Sequence, residues 1–178
     1  MNIFMLDNDP KLAAIYHCDK HAIKMILETA QLLSTAHRVL DGKLYIDKTA
    51  NNRSIKRWKL SSPMMERELY KATHINHPSA VWVRESKDNY IWTYELYKNL
   101  CKEYTYRYGK IHATDTKLTK LLSVLPTNIP DIGLTPIKQA MPDEYKNSDG
   151  VQAYRDYYNG EKTSMLVWKN RPTPSWIN

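Results

Sequence analysis

A chain of 178 residues, 42% of them apolar, is long enough for one domain with a real core. A formal charge of +7 and a pI near 9.3 favour a polyanionic partner, nucleic acid above all. Two cysteines exclude a disulfide framework, and the lack of a signal peptide or of any apolar run near 18 residues argues against a membrane role, so the sequence predicts a soluble, cytoplasmic protein.

Asn2 to Leu6 is a short apolar start. Asp9 and Pro10 form a helix entry, with a capping carboxylate followed by proline at the first helical position, and predict a short helix over Lys11–Tyr16. A long helix follows from about Asp19 to Leu40, stopped by Gly42. Its apolar residues wrap most of the circumference, which predicts a central, buried helix. His17, His21, Lys24, Glu28, Gln31 and Thr35 follow steps of three or four and fall on one stripe. A buried helix with a base, an amine and a carboxylate in one line must pair them or line a pocket with them. Lys24 and Glu28 are equally an ordinary ion pair one turn apart.

Asp47 to Lys59 is polar and basic, with Arg53, Lys56, Arg57 and Lys59 around Trp58, and is expected as a loop or frayed helix that touches something anionic. Ser62-Pro63 opens a helix through about Ala72. After His74–Ser79 comes a segment from Ala80 to Glu85. Asp88 or Asn89 then caps a long helix to Tyr108, stopped by Gly109. Tyr90, Tyr94, Tyr97, Cys101, Tyr104 and Tyr108 share one of its faces. Thr114–Leu125 reads as a shorter amphipathic helix. Pro126–Pro142, with four prolines and Gly133, is expected as an ordered loop wrapping the body. Asp149 caps a last helix to about Tyr158, and the aromatic tail around Trp168 and Trp176 should dock back. The fold expected is all-α, a single helical domain over 1–178 with little or no sheet.

The aromatic make-up, thirteen Tyr and five Trp against one Phe, supplies apolar rings with a polar edge, suited to stacking on bases at a half-wet surface; some must instead replace Phe in the core. There is no Gly-rich phosphate loop, nucleophile elbow, CxxC or HExxH. His17 and His21 have a spacing zinc tolerates, with Cys18 between them, but companion ligands are not evident, so neither metal nor cofactor is expected. What remains is lysine, histidine and carboxylate chemistry. A buried amine can attack an electrophilic carbon while a neighbouring carboxylate or imidazole moves protons. That set suits Schiff-base chemistry at a sugar C1′, and it also suits simple anion binding.

The order of features resembles that of the small phage and bacterial pyrimidine-dimer DNA glycosylases. The chain carries a short N-terminal Asn2-Ile3 segment. A helical region with His17, Lys20, His21, Lys24 and Glu28 ends in Gly42-Lys43. Asn76-His77-Pro78 then precedes a long helix that ends in Arg107-Tyr108-Gly109-Lys110. The resemblance covers roughly residues 1–110 and implies a basic, all-helical enzyme that flips a damaged or modified base and attacks C1′. In that family the nucleophile is the α-amine of residue 2. Here residue 2 is Asn, too large for efficient removal of the initiator Met, so the nucleophile is the α-amine of Met1, or Lys24 or Lys20, or the lyase step is absent. By position Glu28 is the carboxylate, with His21 or His17 near it.

The sequence therefore predicts a DNA glycosylase, with or without a lyase step, of the kind a phage encodes for DNA repair or DNA modification. Its catalytic candidates are Glu28, Lys24, His21 and Met1. His17, Lys20, Arg53, Lys56, Arg57, His77, Trp82, Arg84, Tyr94 and Arg107 are expected to bind nucleic acid. The rival expectations are a non-catalytic binder of nucleic acid or nucleotide, and a helical protein whose tyrosine-rich face meets a protein partner.

Overall fold

Asp9 accepts a hydrogen bond from the Lys11 N–H, and Pro10 begins the first helix, α1 (Pro10–Tyr16), in a computed structural model that describes residues 1–178. The chain turns at His17–Cys18 into α2 (Asp19–Asp41), which crosses the centre of the molecule. Ala22, Met25, Ile26, Ala30, Leu32, Leu33 and Ala36 of α2 are buried, while Lys20, Ile23, Lys24 and Leu27 form a face open to water. The helix is central, but it is not buried all round.

Gly42 ends α2 in extended backbone, not in the left-handed conformation. A Cβ there would collide with the Arg38 carbonyl and lie 2.8 Å from Cβ of Trp58, so glycine is required by close approach rather than by φ. The expected loop or frayed helix over Asp47–Lys59 is corrected: it belongs to a hairpin that begins at Lys43. The hairpin pairs β1 (Lys43–Lys48) and β2 (Ser54–Lys59) antiparallel, with Lys43 opposite Lys59 and Lys48 opposite Ser54. The cause is local: Leu44, Tyr45, Ile46, Ile55 and Trp58 favour strand, and the intervening turn places Asn52 at φ 59, a conformation Asn tolerates.

The next helix, α3 (Pro63–Glu68), is capped by Ser62 and ends well short of Ala72. The buried Arg38 guanidinium is responsible. It donates to the carbonyls of Tyr70 (2.6 Å), Trp58 (2.9 Å), Glu66 (3.0 Å) and Leu69 (2.9 Å), and to the Glu66 carboxylate (2.6 Å). Carbonyls that a longer helix would use are thereby taken by a side chain from α2. Helix α4 (Pro78–Glu85) follows, then α5 (Lys87–Tyr108), capped by Ser86 rather than by Asp88 or Asn89. Gly109 ends α5 at φ 65, as the sequence predicts.

Helices α1, α2 and α5 pack together, with α4 and α6 (Ala113–Leu122) against α2. Residues 123–142 contain no regular element. They are held by the Asp41 carboxylate, which accepts from the N–H groups of Thr127 and Asn128, and by Asn89, which bonds Thr135. Asp149 caps α7 (Gly150–Glu161), and the tail docks through the Trp168 indole on the Tyr16 carbonyl and Arg171 on Glu103. One contiguous core runs from Ile3 to Trp168. The protein is mainly helical with one small sheet, and no helix is long and apolar enough to cross a membrane.

Candidate functional site

Ile3 to Leu6 are buried, and this apolar run draws the start of the chain into the body. Asn2 fixes it there. Its Oδ1 accepts from the Ile3 N–H (2.8 Å), Ser79 Oγ (3.2 Å) and Tyr154 Oη (3.1 Å), and its Nδ2 donates to the Ala140 carbonyl (2.9 Å). Three segments distant in sequence, around Ser79, Ala140 and Tyr154, thus hold one side chain. The main chain at residues 1 and 2 is left against α2. The Met1 α-amine lies 3.7 Å from Glu28 Oε2, to which the Asn2 N–H also donates at 3.2 Å. The Met1 side chain is 3% exposed although the residue as a whole is half-buried, so what water reaches is its main chain.

Glu28 is itself only 13% exposed, and its other oxygen, Oε1, is 3.2 Å from Lys24 Nζ. The helical spacing of Lys24 and Glu28 makes this second contact; the tertiary anchor at Asn2 makes the first. Lys24 is 63% exposed, so the buried lysine expected from the helix pattern is instead an open one.

His77 completes the group. As the N-cap of α4 its Nδ1 accepts the Ser79 N–H at 3.2 Å, which assigns the ring proton to Nε2 in the neutral form. Burial lowers its pKa, and the positive charges of the Met1 amine and His74 lower it further against a smaller upward pull from Glu28. A neutral imidazole with a free N–H, a carboxylate and two amines therefore share one region.

One turn beyond Glu28, Gln31 enters an open groove of about 700 Å³ between β2 and the segment from Tyr70 to Ile75. Trp58 and Tyr70 are among its aromatic residues, and Lys56, Arg57, Lys71 and His74 give it a basic lining. From within the core Arg38 bonds the carbonyls of both Trp58 and Tyr70, two residues of the groove's lining.

The structure places other candidates elsewhere. His21 is buried, stacked on Phe4 with ring centroids 4.5 Å apart and bonded to Tyr158; burial, then His17 and Lys24, push its pKa down to about 3. His17 caps α1, bonds the Ala13 carbonyl at 2.6 Å and is held near 4, chiefly by burial. Trp82 is in the core with its indole N–H on the Thr135 carbonyl. Tyr94 donates to the Thr119 carbonyl, and Arg84 to the Ala80 carbonyl of its own helix. Arg107 is buried and clamps the α1–α2 corner through the carbonyls of Ile15 and His17 and the Asp19 carboxylate. These groups pack the fold. Lys20 is exposed on α2, and Arg53 lies exposed at the hairpin turn.

The structure thus brings Met1, Lys24, Glu28 and His77 together, with Lys56 and Arg57 in the groove beyond. Sequence reasoning passed over Asn2 as an anchor, and Trp58, Tyr70, Lys71 and His74 as groove residues. Gln31 was legible on the helical stripe, and His74 in the His-Ile-Asn-His-Pro run. No known protein family, curated protein or solved structure matches the chain.

Proposed function

We propose that this protein is a DNA glycosylase with an associated lyase step, acting on a damaged or modified base. The observation that carries the reading is Glu28: a nearly buried carboxylate with an amine on each oxygen, beside a basic groove that contains aromatic rings. The α-amine of Met1 is the favoured nucleophile, because it is held against Glu28 by the Asn2 anchor while Lys24 stands open to water. Glu28 takes a proton from the ammonium, and the free amine attacks C1′. The glycosidic bond breaks, and the base leaves with the bonding pair and takes one of the two protons still on the attacking nitrogen. Glu28 returns its proton to O4′ as the nitrogen lone pair opens the sugar ring, leaving a protonated imine that keeps the third amine proton. Glu28, ionised again, takes the C2′ proton that the protonated imine acidifies, and the 3′ phosphate leaves with its bonding pair. The neutral His77, with its Nε2–H, is placed to donate to the leaving base or to a phosphate oxygen, and Trp58 or Tyr70 to stack on an extruded base.

The test is borohydride trapping on duplexes bearing an abasic site or varied modified bases, with intact-mass measurement to establish that Met1 carries a free amine. A covalent adduct mapping to Met1 or Lys24 is expected. Glu28→Gln should bind normally and form adduct about two to four orders of magnitude more slowly. Absence of adduct on every substrate, with Glu28→Gln behaving as wild type, would overturn the reading. One observation favours the second reading, a non-catalytic binder: Lys24 is exposed and unremarkable as a nucleophile, and the groove alone has the cations and rings that binding needs.

A further inference from the structure

We propose that the β1–β2 hairpin is a docking ribbon that lies in the major groove of duplex DNA. The inference rests on the reading of the Glu28 site as one that acts on DNA, and adds how the polymer is held. Residues 43–59 contain six Lys and Arg and one Asp, so the segment supplies five of the chain's seven net positive charges. None of Lys43, Lys48, Arg53, Lys56, Arg57 and Lys59 makes an ion pair, whereas Lys24, Arg38, Lys71, Arg107 and Arg171 in the body all do. Every residue of β1 is exposed.

The register decides the kind of anion. Lys43, Arg57 and Lys59 lie on one face of the ribbon, Lys48 and Lys56 on the other, and Arg53 at the turn. A platform for a single strand needs cations and rings on one face only. A ribbon with charge on both faces meets phosphates on two sides, as it would between the walls of a groove. Two strands about 5 Å apart with their side chains fit the roughly 12 Å width of the major groove, which admits a two-stranded ribbon. Leu44 and Ile46, 50% and 61% exposed on β1, are apolar groups that water should not keep, and thymine methyls line that groove. The base of the ribbon is fixed by Arg38 on the Trp58 carbonyl and by Gly42 against Trp58, so its far end projects from a rigid mount beside the groove that Gln31 enters.

The experiment is a fluorescence anisotropy titration of the full chain with an undamaged duplex and with one of its single strands, over a range of salt. The variant carries Lys43→Gln, Lys48→Gln and Arg53→Gln, with its fold checked by melting temperature. Against the duplex it should bind at least 10-fold more weakly at low salt, and its log–log salt slope should fall by about 2–3, close to one per lost phosphate contact. Leu44→Ser with Ile46→Ser should weaken duplex binding at an unchanged slope. Methyl green, a major-groove ligand, should compete with the wild type, and the minor-groove ligand netropsin should not. An unchanged slope, an equal loss on single strand, competition by netropsin alone, or no duplex binding by the wild type would each overturn the ribbon. Borohydride trapping on the wild type separates the two claims. Loss of duplex binding in the variant with no adduct in the wild type keeps the ribbon and removes the lyase; adduct with an unchanged slope does the reverse.

Discussion

Replacing Arg38 by Met should destabilise the protein more than any exposed substitution near the site. The guanidinium is fully buried and makes five hydrogen bonds, four of them to main-chain carbonyls of Trp58, Glu66, Leu69 and Tyr70. Met fills similar space but donates nothing, so those carbonyls lose their partner, and Glu66 keeps only Lys71 and the Leu60 N–H. Breaking a buried pair by removing one member costs about 3–5 kcal/mol, and each buried carbonyl left unpaired costs about 1–3 kcal/mol where water cannot reach it. Because Trp58 and Tyr70 are only half-buried, water will repair part of this, and a net loss of about 3–5 kcal/mol is expected. At roughly 2–4 °C per kcal/mol for a chain this long, the melting temperature should fall by about 6–20 °C. Urea denaturation followed by circular dichroism gives the free energy directly. If the ion pair alone mattered, Arg38→Met with Glu66→Leu would recover nearly all the stability. The carbonyl argument predicts that the double variant stays at least about 2 kcal/mol below wild type. A single-variant loss under about 1 kcal/mol, or full recovery in the double variant, would refute it. A pH arm follows from Glu66. Burial pulls its pKa up, but hydrogen bonds from Lys71, Leu60 and Arg38 together outweigh this and hold it at about 2. Its contribution is therefore present above the ordinary carboxylate range and lost as pH falls from about 4.5 towards 2. Arg38→Met should lose part of that dependence.

Two further outcomes are expected. Asn2→Ala removes four hydrogen bonds that hold the start of the chain, so trapping of the α-amine should slow about 10- to 100-fold while DNA binding changes little, read by single-turnover kinetics beside anisotropy. His17, His21 and His37 are held by burial at about 4, 3 and 4, so the unfolded chain takes up protons on them that the folded one refuses. Stability should fall as pH drops from about 6.5 towards 4, and His21→Phe should flatten the fall; urea midpoints at pH 7.5, 5.5 and 4.5 that do not differ would contradict it.

The parts of the fold legible in the sequence are those fixed by neighbours along the chain. The Asp9-Pro10 entry, the Asp149 cap and the Gly109 stop each depend on a side chain or a φ value within a few residues, and each stands where expected. The early end of α3 was not legible, because its cause is an arginine 28 residues earlier in the chain, on another helix, that takes the carbonyls of Glu66, Leu69 and Tyr70. The hairpin was hidden by its composition. A basic, polar segment reads as loop, and only the strand-forming side chains of Leu44, Tyr45, Ile46, Ile55 and Trp58 on either side of an Asn-rich turn argued otherwise.

The same division runs through the candidate site. The stripe on α2 placed Lys24, Glu28 and Gln31 on one face correctly, since helical geometry alone decides that. It gave His21 the same standing because spacing carries no information about what covers a face, and at that level of the helix Phe4 and Tyr158 close over it. Two turns further along, the main chain of Met1 and Asn2 lies against Glu28 and leaves it 13% exposed. Asn2 shows how far such reasoning reaches. Read alone, it was an obstacle to exposing an α-amine at residue 2. In the fold it is the polar side chain that three distant segments hold, and its own N–H shares the Glu28 oxygen with the Met1 amine. The residue that argued against one amine is the one that positions its neighbour, and no pattern along the chain could show it.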